Sequence, residues 1–284
     1  MRRGLTNAEL VALAGNLGAS ERTVIEVVAK LRLATHAQLT ALLALPESDS
    51  SASSAARTTR RVLARLTALR VLARLERRIG GRRAGSAGYV YYLGPVGQRL
   101  VAYWQGQGLT RGRFRPEPGG RYVRHRLAVS EFYVQTRLAA NAGTLDLLSF
   151  QAEPDCWRRY VDGFGGQTVL KPDAYVRLGL GAYEDSFFVE VDLGSESRMV
   201  IARKLRAYLD YFQSGAEQAA HGVFPRVLVL TNTAKRQTAL VNVCARLPAE
   251  AWALFTVTTL DQALAAMTGK IDADARELSG EVAL

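Results

Sequence analysis

Apolar residues in the first part of the chain recur at intervals of three and four, the spacing of a helix with one buried face. Residues 5–17 read as a short helix with Thr6 as N-cap and Glu9 three residues on in capping-box spacing, and Gly18 ends it. Val24, Val27, Val28 and Leu31 give a second helix, and Thr35 caps a third in which Leu39, Leu42 and Leu43 face inward. Residues 46–54 are Ser-rich and acidic, a loop by composition. In residues 55–69, Val62, Leu63, Leu66 and Leu69 form the core stripe, which leaves Arg57, Arg60 and Arg61 together on the other face. The pattern then shortens. Residues 71–79 and 89–93 read as strands around a Gly- and Arg-rich loop, 80–88, that carries Arg82 and Arg83. Helices followed by a hairpin with a basic tip predict a winged helix-turn-helix, with the 55–69 helix in a major groove and the wing on phosphate or the minor groove.

The second half alternates differently. A connecting helix over 95–107 and a Gly-, Pro- and Arg-containing linker over 108–120 separate it from the first, so the expected division is 1–94, a connector 95–121, a second domain 122–270 and a tail 271–284. Residues 122–141 form a helix with Leu127, Val134 and Leu138 on one face and Glu131 on that same face. Strands follow near 145–153, 168–178 and 186–192, then a helix over 197–214, an apolar strand over 226–231, a helix over 234–246 and a strand around 255–258. The order is αβββαβ with a further αβ pair, and the fold class is α+β.

With 284 residues and 48% apolar composition, the chain can build two modest cores. It has no uninterrupted apolar run long enough to span a bilayer and no signal-like start, so a cytoplasmic protein without a membrane partner is expected. Cys156 and Cys244 are its only cysteines, and His36, His125 and His221 are scattered, so neither a disulfide framework nor a zinc cluster is expected. The net charge of +11 is segregated: residues 51–126 hold 17 arginines against Glu76 and Glu117, while the remainder holds 20 basic and 24 acidic residues. Codon bias toward arginine does not remove acids from one window, so a polyanion is the expected partner and double-stranded DNA the leading one. Arg65 joins Arg57, Arg60, Arg61, Arg82 and Arg83 as a candidate contact, and a homodimer is compatible with the chain.

One stretch carries candidate chemistry. On a strand, Phe188, Glu190 and Asp192 share a face, and a neighbouring strand holding Asp173 would bring three carboxylates together, which repel unless a cation lies among them. Mg²⁺ or Mn²⁺ is the cofactor such a site would take, with Glu131 and Glu153 as further ligands. Lys204 flanks the core stripe of the following helix and can bend back toward the sheet. A Pro-Asp step is often only a turn and a strand Glu often only solvated, so the pattern gains weight from the order of elements around it. A glycine-rich loop ending in Gly-Lys-Ser/Thr is absent, and no Ser or Cys has a His at nucleophile spacing.

That order, with Asp173 followed by Glu190 and Asp192, resembles the restriction-endonuclease-like PD-(D/E)xK fold. Leu75-Glu76-Arg77-Arg78 with Gly80-Gly81, His125-Arg126-Leu127-Ala128-Val129, Lys171-Pro172-Asp173-Ala174-Tyr175, the run from Val189 to Ser197 and Arg203-Lys204-Leu205 resemble bacterial replication-relaxation proteins of plasmids and mobile elements. The resemblance implies a DNA-binding protein acting in replication initiation, maintenance or transfer. Active nucleases of this fold carry lysine two residues after the second acid, where this chain has Asp192, so Lys204 or Lys171 would have to supply that charge. Two alternatives stand beside the first: a Mg-dependent DNA endonuclease with a variant site, and a winged-helix transcriptional regulator whose second domain is catalytically inactive.

Overall fold

Helix α1 (Asn7–Gly15) starts where the Thr6 capping signal placed it, and α2 (Ala19–Leu31) follows directly after Gly18, which is its N-cap. Thr6 Oγ1 accepts from the Glu9 amide at 3.2 Å and Glu9 Oε2 from the Thr6 amide at 2.6 Å, which occupies two amides that the first helical turn leaves without partners. The structure, a computed structural model, describes residues 5–44, 52–75, 89–108 and 120–269. The chain divides into two units, Met1–Val134 and Gln135–Leu284.

In the first unit α2 buries Val24, Ile25, Val28 and Leu31. A two-residue strand, β1 (Ala34–Thr35), leads into α3 (His36–Leu43), which Thr35 and Gln38 cap reciprocally. Two residues are too few to leave an alternation, so β1 had no signature in the sequence. Next come α4 (Ala52–Ala68), β2 (Leu72–Arg74), β3 (Val90–Leu93) and α5 (Pro95–Trp104), with the antiparallel sheet ordered β1-β3-β2. The expected strand over 71–79 is described only as β2, and the loop with Arg82 and Arg83 lies outside the described residues, as do most of the linker and the tail. Helix α5, expected as a connector, packs into this unit. A Cβ on Gly97 would lie 2.2 Å from the Val71 carbonyl oxygen and one on Gly94 2.4 Å from that of Arg70, so only glycine permits the approach.

Helix α6 (Gly120–Asn141) starts two residues before the expected 122, and its first turns belong to the first unit, where Val123 and Leu127 pack with Leu33, Leu75 and Val90. The second unit is built on a five-stranded sheet of β4 (Asp146–Ala152), β7 (Ala174–Leu180), β8 (Tyr183–Asp192), β9 (Arg226–Thr231) and β10 (Phe255–Thr259), ordered β10-β9-β8-β7-β4. The β4, β7 and β8 pairings are antiparallel, whereas β8, β9 and β10 run parallel. Parallel neighbours need crossovers, and α7 (Arg198–Gln213) with α8 (Ala216–His221) and then α9 (Ala234–Cys244) supply them. The element order therefore matches the αβββαβ expectation, with one insertion.

That insertion corrects the expected strand over 168–178, which is two strands in two sheets. The pair β5 (Arg158–Val161) and β6 (Gln167–Leu170) forms its own hairpin, and Lys171-Pro172-Asp173 joins it to β7. Pro172 has no amide to donate to a ladder, so the extended run is interrupted there. Helix α7 buries Ile201, Leu205, Tyr208 and Tyr211, whereas Phe212 is 36% exposed. These rings surround Phe188, whose centroid lies 5.4 Å from Tyr175 and 5.8 Å from Tyr208. No described helix is long and apolar enough to cross a membrane.

Candidate functional site

Register assembles a row of acids at one end of the sheet. Ala174 pairs with Val189 and with Ala152, so one residue further Asp173 stands between Glu190 and Glu153. The ladder continues through them, the Asp173 amide donating to the Val189 carbonyl at 3.0 Å and the Glu153 amide to the Asp173 carbonyl at 3.1 Å. Directly paired residues share a face, which puts the three on the side that α7 covers.

Each carboxylate of the expected trio has its own neighbours. Glu190 is 6% exposed; its Oε2 accepts from Lys204 Nζ at 3.1 Å and its Oε1 from the Tyr208 hydroxyl at 2.7 Å. Lys204 and Tyr208 stand one turn apart on α7, so a single helix face brackets the acid. Lys204 also pairs with Glu196 at 3.0 Å. Asp173 Oδ2 accepts from the Val191 amide at 2.8 Å. Asp192 turns elsewhere: Arg236, in the first turn of α9, donates to Oδ2 at 2.6 Å, and the Gly194 amide donates to Oδ1 at 2.8 Å. Lys171 is exposed with its ammonium 4.9 Å from the Trp157 ring centroid. Glu131 lies in the first unit, where Gln38 Nε2 donates to it at 2.9 Å.

Burial governs the electrostatics. It pushes the Glu190 carboxyl up to about 7, the Asp173 charge adds to this, and Lys204 and Tyr208 oppose it. Burial would lower the Lys204 ammonium, but Glu190, Asp173 and Glu196 more than offset it and hold the group protonated. The Cys156 thiol, 3.1 Å from the Pro172 carbonyl, is raised to about 12 by burial, then by Asp173, and stays a neutral donor. The Glu190 shift has a measurable consequence. The folded chain keeps the Glu190 proton that the unfolded chain releases from about pH 4.5 upward, so stability falls as pH rises to about 7 and then levels. The change amounts to about 3 kcal/mol. Glu190→Gln cannot ionise, so urea denaturation at pH 5 and pH 8 should show the variant gaining on wild type by most of that amount; an unchanged difference would rule the ionisation cost out.

Among the described residues, no group of three or more His, Cys, Asp and Glu side chains is arranged to hold a metal ion. The donor chemistry gives the reason. Both Glu190 oxygens accept from Lys204 and Tyr208, and both Asp192 oxygens accept from Arg236 and Gly194, so as arranged these groups do not fit a divalent cation between them. A cleft of about 310 Å³ opens further along the same face, lined by Tyr175, Ser186, His221 and others, and its Arg158 and Arg177 are paired with Glu217 and Glu184.

In the first unit, Arg57, Arg60 and Arg61 are all exposed on α4, opposite the buried Val62, Leu63 and Leu66. Arg65 is set apart, because its guanidinium is bonded to the nearly buried Glu21 carboxylate of α2 and ties two helices together. Burial, then the Arg60 charge, lowers the pKa of His36 at the start of α3.

Three groups at the acid row went unassigned in the sequence. Tyr208 had a signal, since it lies four residues after Lys204 and so on its face. Arg236 had none, because its partner is 44 residues away, and Glu196 joins by its carboxylate through Lys204 and by its backbone carbonyl through Arg236. No curated protein and no solved structure matches this chain significantly. A family model described as replication-relaxation matches residues 25–227, from within α2 through the acid row and Lys204 into β9, and the chain accordingly belongs to the replication-relaxation family.

Proposed function

We propose that this chain is a DNA-binding protein of a plasmid or mobile element, acting in its replication, maintenance or transfer, with the first unit as a winged helix-turn-helix that grips duplex DNA. The observation that carries the reading is the face of α4: three exposed arginines, with the apolar residues of the same helix turned into the core. Such a helix loses nothing by meeting a polyanion and satisfies its charge there. The order α2-β1-α3-α4-β2-β3 supports the winged-helix assignment, and the family supports DNA as the partner. Titrating the full chain against duplex DNA at several salt concentrations tests it. Affinity should fall linearly on a log–log plot as counterions are released, and undetectable binding at low salt would sink the reading.

One observation favours a second reading, DNA cleavage by the other unit: Lys204 does reach Glu190, beside Asp173. Against it stand Asp192, held by Arg236, and the second Glu190 oxygen, occupied by the Tyr208 hydroxyl. We expect neither calorimetric Mn²⁺ binding nor nicking of supercoiled DNA. Nicking lost in Asp173→Ala, Glu190→Ala and Lys204→Ala alike would establish the enzyme instead.

A further inference from the structure

The β5–β6 hairpin ends in a side chain that no described residue of the second unit covers. Phe164 is 102% exposed, and Val161 beside the tip is 56% exposed. Exposure of one apolar residue is ordinary on a loose loop, but this tip is held in one conformation. Asp162 Oδ1 accepts from the Phe164 amide at 3.0 Å and the Gly166 amide at 2.8 Å, the Asp162 amide donates to the Gly166 carbonyl at 2.9 Å, and Gly165 takes a φ of +82° that other residues resist. The base is anchored as firmly. Arg158 pairs with Glu217 and lies 4.7 Å from the Tyr175 ring centroid, the Tyr160 ring lies tilted against Tyr211 with centroids 4.8 Å apart, and Leu170 enters the core. The hairpin leaves the sheet between β4 and β7, beside Glu153 and Asp173.

An ordered finger that presents one bare ring has a narrow choice of partners. Phe164 and Val161 together expose far less apolar area than the roughly 800 Å² per side of a stable protein interface, whereas one ring is the platform a single nucleobase stacks on. The charge around it suits a phosphate backbone. Arg159 is exposed on the outward face with Val161, Lys171 is exposed where the hairpin rejoins the sheet, and the one acid of the tip, Asp162, has its charge directed at backbone amides.

We infer that the β5–β6 hairpin is a finger for single-stranded DNA, in which Phe164 stacks on an unpaired base and Arg159 holds a phosphate of the same strand. The inference rests on the DNA-binding reading and adds a second contact, on the other unit, for DNA whose strands have been separated. Base-stacking aromatics are tolerant of sequence, so the finger would grip any opened strand.

The test uses the full chain on a flush duplex and on a forked duplex whose single-stranded arm carries 2-aminopurine. Phe164→Ala should leave thermal stability and flush-duplex affinity unchanged, lower affinity for the fork roughly tenfold and abolish the 2-aminopurine quenching seen with wild type. Phe164→Trp should restore both, and Asp162→Ala, which frees the tip, should lie between. Wild type that binds both DNAs with Phe164→Ala indistinguishable from it overturns the inference alone. Wild type that binds neither sinks the DNA-binding reading and this inference with it. A fall in self-association on sedimentation, with no change on DNA, makes the tip a contact between copies of the chain and overturns it too.

Discussion

The triple variant Arg57→Gln, Arg60→Gln, Arg61→Gln is expected to bind duplex DNA about two to three orders of magnitude more weakly than wild type at 0.1 M salt. Each arginine that neutralises a phosphate releases close to one counterion, so the slope of log affinity against log salt should also become shallower by roughly 2.7. These residues are exposed and Val62, Leu63 and Leu66 of the same helix are buried, so the substitutions should leave the fold intact. Thermal unfolding within a degree or two of wild type checks that control. Arg65→Gln gives the contrast. Its guanidinium is bonded to Glu21, so the loss should appear in stability and leave the salt slope nearly as it was. A slope unchanged in the triple variant would remove α4 from the DNA interface, whatever the affinity.

Arg236→Ala is expected to destabilise the protein by about 3–5 kcal/mol, because it strands the buried Asp192 carboxylate without its cation. For a unit of this size that corresponds to roughly 10 °C in thermal midpoint. Asp192 is 3% exposed on its side chain and Arg236 17%, so water can replace little of the lost interaction. Adding Asp192→Asn to Arg236→Ala should recover a large part of the loss, since the amide carries no charge to strand. Lys204→Met should cost less than Arg236→Ala at pH 6, because Glu190 already retains its proton up to about 7 and can stay neutral. The exposed Arg177–Glu184 pair, 47% and 58% accessible, should be worth under about 1 kcal/mol. Chemical denaturation of these three variants and of Arg177→Ala at pH 6 orders these effects, and an Arg236→Ala chain as stable as wild type would make the Asp192 pair incidental.

Much of the second unit was legible from periodicity. The strand over 226–231 and the helix starting at Ala234 fall where the apolar pattern put them, and β8 and α7 differ from the expected spans by a few residues at most. Long elements repeat their buried face several times, so one ambiguous residue cannot shift them. Short or interrupted elements offered no such repetition. The two residues of β1 and the four of β5 passed unread, and β6 and β7 were fused because the residues on both sides of Pro172 look extended.

The candidate site divides along the same line. Alternation along β8 was enough to set Glu190 on the face of Phe188, and helical spacing was enough to bring Lys204 within reach of it. The sequence could also localise the positive charge, since a count of arginines and acids needs no coordinates. Which charge meets which was decided only by the tertiary structure. Asp192 was expected beside Asp173 and Glu190, yet α9 delivers Arg236 to it, and Arg65 was grouped with the open arginines of α4, yet Glu21 takes it. Local sequence fixes the face on which a side chain emerges, because that follows from the residue's own backbone geometry. Its partner comes from another element tens of residues away, brought there by the packing of the whole core, and no spacing along the chain records that distance.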